Sequence, residues 1–276
     1  MAATDAVAWR DLDRASLTRA YDNSAAVRDS TALVAGWRAR SAAFRESKAG
    51  QTFAYGPGPR QALDLYRCGA AGAPCLAFIH GGYWQRNARE DFTCMAEGPL
   101  GLGLDVALVG YTLAPEASLT RISEEVGAAL RLLRQKIGPS RLVVAGWSAG
   151  GHLAALMTTL AADAADAALA VSGIFDLGPI AGTALNDALR LTDGEVAELS
   201  PIRSLAPDGL PVSVIYGGAE LPELCRQSED YHATRRALGL AGDLHVVPGA
   251  DHFRVLDALT APDGRIAREA ARLAGL

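Results

Sequence analysis

The stretch RLVVAGWSAGGHLAAL (residues 141–156) decides the fold. Its first part, RLVVAGW (141–147), is a short continuous apolar run, the pattern of a strand buried on both faces. From Ser148 to about Ala162 the chain turns Ala- and Leu-rich and reads as helix. Between the two, Gly146-Trp147-Ser148-Ala149-Gly150 sets a serine at a strand-to-helix junction, with Gly146, Ala149, Gly150 and Gly151 as small neighbours. So sharp a turn is strained and accepts only small flanking residues. It holds the hydroxyl out over the sheet edge, and the helix N-terminus beneath favours developing negative charge. Five residues of the form G-x-S-x-G arise by chance in many chains; at this junction they mark Ser148 as a nucleophile.

Outward from this unit the same alternation continues. PCLAFIH (74–80), DVALVGY (105–111), AALAVSGIF (167–175), PVSVIYGG (211–218) and DLHVVPG (243–249) read as further strands. In the segment 118–137, Leu119, Ile122, Val126, Leu130, Leu133 and Ile137 recur at helical spacing with Arg and Glu between them, an amphipathic helix. Short apolar strands alternating with helices predict an α/β chain with a mostly parallel central sheet of about eight strands, covered by helices on both faces. Ligands of such sheets lie beyond the carboxyl ends of the strands, so the residues just after each strand hold the chemistry. Residues 1–50, with helical spacing between Leu17 and Phe44, and 176–210, rich in Pro, Gly, Asp and Leu, stand outside the alternation. Each is surface decoration or a partial lid; long insertions after strands tend to carry function, which favours the lid.

Composition sets the limits. The 276 residues are 50% hydrophobic and 21% charged, enough for one α/β domain over 1–276. With 26 basic and 31 acidic residues, a net charge of -5 and no basic cluster, nucleic acid is not an expected partner. No apolar window is long enough to span a membrane, and MAATDAVAWRDLDR (1–14), acidic early and without an apolar core, does not read as a leader. Cys68, Cys75, Cys94 and Cys225 fit no zinc spacing and read as reduced thiols, which points to the cytoplasm. No metal or cofactor is expected. The expected partner is a small-molecule substrate, and a homodimer is among the assemblies left open.

The remaining chemistry follows strand by strand. His80-Gly81-Gly82-Tyr83-Trp84 comes after PCLAFI, and its glycines let the backbone turn its N–H groups inward. Gly82, Tyr83 and Ala149 are the expected donors to an oxyanion. His80 reads as a histidine that anchors its loop to backbone rather than as a base. The base is expected after the last strand, where His252 stands in PGADHF (248–253); His152, His232 and His245 lie in helices or a strand. The acid is expected after PVSVIYGG. Glu220 is the first carboxylate there, with Glu223 three residues on and Asp176 and Asp251 as rivals. Glu220 is expected within about 3.2 Å of His252.

At this point the residues resemble a known family, the kynurenine formamidases (arylformamidases) and bacterial esterase relatives, within the α/β hydrolases. The matching stretches are HGGYWQ (80–85), YTLAPEASL (111–119), GWSAGGHLAAL (146–156), VSGIFDLGPI (171–180), NDALRLT (186–192), GGAELPELCRQS (217–228) and GADHF (249–253). HGGYW and GxSAG fit many esterases; SGIFDL, NDALRLT and PELCRQS are more particular to the formamidase group. The resemblance implies the α/β-hydrolase fold and a triad of Ser148, Glu220 and His252. The family's acid is usually Asp, so Glu220 is a departure.

The leading functional reading is hydrolysis of a small acyl amide or ester through an acyl-enzyme, with N-formyl aryl amides such as N-formylkynurenine as the favoured class. A short-chain carboxylesterase is the alternative. A non-catalytic binding protein is the remote one, because such chains usually lose a triad member or the oxyanion glycines. Tyr83, Trp84, Trp147 and Phe175 are the expected aromatic substrate surface, with core packing the equal alternative for Trp147 and Phe175.

Overall fold

Period-two alternation within the strands divides the interior into layers on either side of one sheet. The computed structural model describes residues 9–138 and 140–276, and most of the 1–14 stretch discussed above lies outside that range. The sheet contains β1 (Gln51–Ala54), β2 (Ala62–Tyr66), β3 (Cys75–Ile79), β4 (Asp105–Val109), β5 (Leu142–Trp147), β6 (Ala167–Val171), β7 (Val212–Gly217) and β8 (Leu244–Val247). Their spatial order is β1-β2-β4-β3-β5-β6-β7-β8. β1 and β2 run antiparallel at one edge, and every pairing from β4 to β8 is parallel.

β3 illustrates the alternation. Cys75, Ala77 and Ile79 pack into one core with Leu119, Ile122, Val126, Leu130 and Leu133 of the helix Leu119–Ile137. Leu76 and Phe78 face the other side, against Trp37, Phe92 and the C-terminal helix Arg265–Ala274. The six apolar residues read at helical spacing in 118–137 are all buried, each stabilising by roughly 1.5–3 kcal/mol. That helix starts where the Ser118 side chain accepts the N–H of Arg121 and stops at Gly138.

The six strands named from sequence are all present, with ends no more than four residues from those expected. β1 and β2 were not among them. β1 is largely exposed, and the buried β2 carries Asp64, which breaks an apolar run. Asp64 is neutralised there by Arg89 at 2.9 Å, a partner 25 residues away that local patterning does not show. Among the described residues no helix is long and apolar enough to cross a membrane.

Candidate active site

Five neighbouring parallel strands, β3, β5, β6, β7 and β8, each deliver one part of the site just past their carboxyl ends. In that order the parts are the His80–Trp84 loop, Ser148, Ser172, Glu220 and His252.

Ser148 directly follows β5 and has φ 58° and ψ −118°, a left-handed conformation that costs a non-glycine residue about 1–2 kcal/mol. The neighbours hold it there. The Ser148 N–H donates to Val171 O at 2.8 Å, extending the sheet by one bond, and the Ser148 carbonyl accepts from His152 N at 3.0 Å, starting the helix Ala149–Leu160. Gly150 is required because a Cβ there would lie 2.0 Å from Ile79 O. The helix therefore crosses directly over the end of β3 and places Ser148 against the loop that follows it.

That loop turns through Gly82 (φ 117°), Tyr83 (φ 51°) and Trp84 (φ 58°). The Gly81 carbonyl lies 2.9 Å from His80 Nδ1 and accepts from Asn87 Nδ2 at 3.2 Å. The His80 carbonyl accepts from Tyr111 Oη at 3.0 Å, and the two rings stack at 4.4 Å. Burial pushes the His80 imidazole down to about 4, so it stays neutral and its Nδ1–H suits the carbonyl. His80 is thus bound to its own loop and stands outside the cavity at Ser148. The N–H groups of Gly82, Tyr83 and Ala149 donate to no other group among the described residues, which leaves three donors around the serine.

His252 Nδ1 lies 2.7 Å from Glu220 Oε2, with both side chains buried. The other carboxylate oxygen, Oε1, accepts from Ser172 Oγ at 2.5 Å and from Gly217 N at 2.6 Å. The Trp147 indole N–H donates to the His252 carbonyl at 2.8 Å, so β5 also positions the histidine loop. The rival acids are committed elsewhere: Asp176 pairs with Arg203 at 2.8 Å, Asp251 accepts the N–H groups of Phe253 and Arg254, and Glu223 pairs with Arg226 at 2.7 Å. Among the described residues no hydrogen bond joins Ser148 to His252, a looseness common before substrate binds, but both line one small cavity of about 80 Å³.

The structure corrects one expectation about that cavity, for Trp84, and decides the open alternative for Phe175. Trp84 is fully buried beneath the loop, edge-on to His152 at 5.0 Å, and Phe175 is fully buried and stacked on Tyr231 at 4.2 Å. Both are core residues. Each follows its strand closely, but the left-handed turn at Trp84 and the stacking partner of Phe175 direct the rings inward. Tyr83 and Trp147 do line the cavity. The N-terminal segment adds Asn23, Ser24 and Val34 to its wall, whereas 176–210 adds nothing. Asn23 Nδ2 donates to Tyr83 Oη at 3.2 Å, and Tyr83 Oη donates to Tyr21 O at 2.5 Å. The contacts of Ser172, Tyr21 and Asn23 were missed from sequence. Only Ser172, a polar residue directly after a buried strand, carried a readable signal.

Comparison with known proteins bears on the family and the fold. Residues 76–198 match a family model described as an alpha/beta hydrolase fold. The kynurenine formamidase of Salmo salar is 31% identical over 237 residues, covering 80% of each chain. The chain belongs to the kynurenine formamidase family. It is a hydrolase of the arylformamidase and esterase type, built on the α/β-hydrolase fold. Among solved structures, a Silicibacter protein provisionally described as a thioesterase superposes with a TM-score of 0.84 at 25% identity, over 92% of this chain and 98% of that one. A Pyrobaculum calidifontis esterase superposes with a TM-score of 0.72 at 21% identity, over 91% and 94%.

Proposed function

We propose that this family member cleaves small acyl amides or esters, with N-formyl aryl amides of the N-formylkynurenine type as its preferred class, through Ser148, His252 and Glu220. The observation that carries the reading is the buried His252–Glu220 contact of 2.7 Å, with His252 lining the same cavity as a serine held in a left-handed turn. Glu220 accepts a hydrogen bond from Nδ1–H, which fixes the tautomer and leaves Nε2 to take the Ser148 proton as Oγ attacks the acyl carbon. Electron density moves to the carbonyl oxygen, where the N–H groups of Gly82, Tyr83 and Ala149 stabilise it. Collapse of the tetrahedral intermediate breaks the bond to the leaving nitrogen or oxygen, which takes the proton from His252. Water, deprotonated by the same imidazole, then releases the acid and restores Ser148. No step calls for a metal or organic cofactor.

The small cavity and the close approach of Tyr83 support a short acyl group, formyl above all. Burial pushes the Tyr83 phenol up, so it stays neutral. The four free cysteines support placement in the cytoplasm. The test is a kcat/KM panel that pairs formyl with butyryl groups on both anilide and phenyl ester leaving groups, with labelling by a fluorophosphonate probe. Formyl substrates are expected to lead, and Ser148→Ala to abolish both turnover and labelling. Butyryl esters as best substrates would support a short-chain carboxylesterase instead.

A further inference from the structure

Beyond the serine, the cavity does not end. It shares Ser24, Val34, Arg86, Asn87 and Phe253 with an adjoining groove of about 240 Å³ that continues toward Arg38. This groove is one of two outlets for a leaving group; the other adjoins the cavity at Asn23 and His252 and carries charges of both signs, Arg28 and Arg254 with Asp29 and Asp251. Val34 and Phe253 give the first groove apolar wall. Its charge is one-sided: the fixed charges lining the cavity and groove are Arg86 and Arg38, and no carboxylate side chain faces either except through the His252 imidazole.

The two arginines differ. Arg38 is paired with Asp91 at 3.2 Å. Arg86 is exposed, and its guanidinium makes no hydrogen bond or ion pair among the described residues. It is nevertheless well placed, because its backbone N–H donates to Gly82 O at 3.1 Å and ties it to the oxyanion loop. In a chain of net charge -5, an unpaired cation in the one outlet lined by no carboxylate gives that groove an attractive field for anions.

Resting on the reading of Ser148 as nucleophile, we infer that Arg86 is a specificity-determining residue that binds a carboxylate on the leaving-group side of the substrate. A guanidinium forks onto a carboxylate with two N–H donors, and the apolar walls of the groove dry and align the leaving group between that contact and the reacting carbonyl.

The experiment compares formanilides carrying a carboxylate at the ortho, meta or para position with the matching neutral carboxamides. In the wild type the best carboxylate is expected to exceed its carboxamide about tenfold in kcat/KM, mainly through KM, the size of one well-formed charge-assisted contact. Arg86→Gln should bring that ratio to within about twofold, Arg86→Lys should keep part of it, and added salt should shrink it in the wild type and the lysine variant but not in Arg86→Gln. A wild type without carboxylate preference, or an Arg86→Gln variant that keeps it, overturns the inference. A second readout needs no turnover: benzoate should protect Ser148 from the fluorophosphonate better than benzamide, and Arg86→Gln should erase that difference. Failure of the underlying hydrolase reading looks different, with the whole panel inert and Ser148 unlabelled. In that case calorimetric binding of benzoate, lost in Arg86→Gln or not, still decides the role of Arg86.

Discussion

Replacing Ser172 by alanine removes one hydroxyl and tests how the acid is held. Ser172 Oγ donates to Glu220 Oε1 at 2.5 Å inside a buried cluster. A hydrogen bond to a charged group contributes about 1.5–3 kcal/mol. Gly217 N still reaches the same oxygen and His252 still holds the other, so the carboxylate loses orientation, not its place. If the whole contribution falls on the transition state, kcat drops about tenfold to a hundredfold, at 1.36 kcal/mol per factor of ten. We expect a loss near the lower end, with KM almost unchanged, because Ser172 does not line the cavity. The backbone supplies a control. Ser172 has φ 49°, so serine and alanine bear the same left-handed strain, whereas glycine is free of it. Ser172→Ala should lower both kcat and the melting temperature, the latter by a few degrees. Ser172→Gly should recover much of the stability and none of the rate. The assay is steady-state kinetics on the best substrate of the acyl panel, alongside thermal unfolding. A kcat within twofold of wild type in Ser172→Ala, or activity that follows stability back in Ser172→Gly, refutes the idea that this hydroxyl positions Glu220.

Two further expectations concern charge. Glu220→Gln keeps the shape of the buried pair but favours the wrong imidazole tautomer, so kcat should fall by up to about ten-thousandfold while circular dichroism is unchanged; Glu220→Asp should be milder, and Asp176→Asn, whose partner is Arg203, should keep near-normal turnover. His80 and His152 are both held neutral by burial, each pushed down to about 4, so the unfolded chain takes up protons near pH 6.5 while the folded chain does not. Stability should therefore be complete above about pH 7 and fall as pH drops toward 4, by on the order of 2 kcal/mol per histidine at pH 5. Urea midpoints at pH 7.5 and 5 measure this, and His152→Gln, which can still donate to Leu199 O, should flatten the dependence; equal midpoints in the wild type would contradict it.

Much of this protein is determined by short-range sequence rules. The 141–156 unit specifies strand, sharp turn and helix because each is a local matter of apolar period, small residues and sterics, and the crossing of Gly150 over Ile79 is the physical form of that glycine requirement. The order of strands then restricts which loops meet, since successive parallel strands carry their following residues to one edge of the sheet. That is why His252 and Glu220 were placeable from position alone, and why His80 was readable as an anchor. Tertiary packing decided what depends on direction and docking. Trp84 and Phe175 lie in the right loops, yet a backbone turn in one case and a stacking partner 56 residues away in the other put both rings in the core. Ser172 turns from a polar residue after a strand into the clamp of Glu220 only because β6 and β7 are neighbours. The N-terminal segment, readable as helical, polar and a candidate lid but with no contact assigned, sets Tyr21 and Asn23 against Tyr83 through hydrogen bonds spanning about sixty residues. No periodicity encodes such contacts, because the free energy that selects them arises only when two separately formed surfaces meet and exclude water.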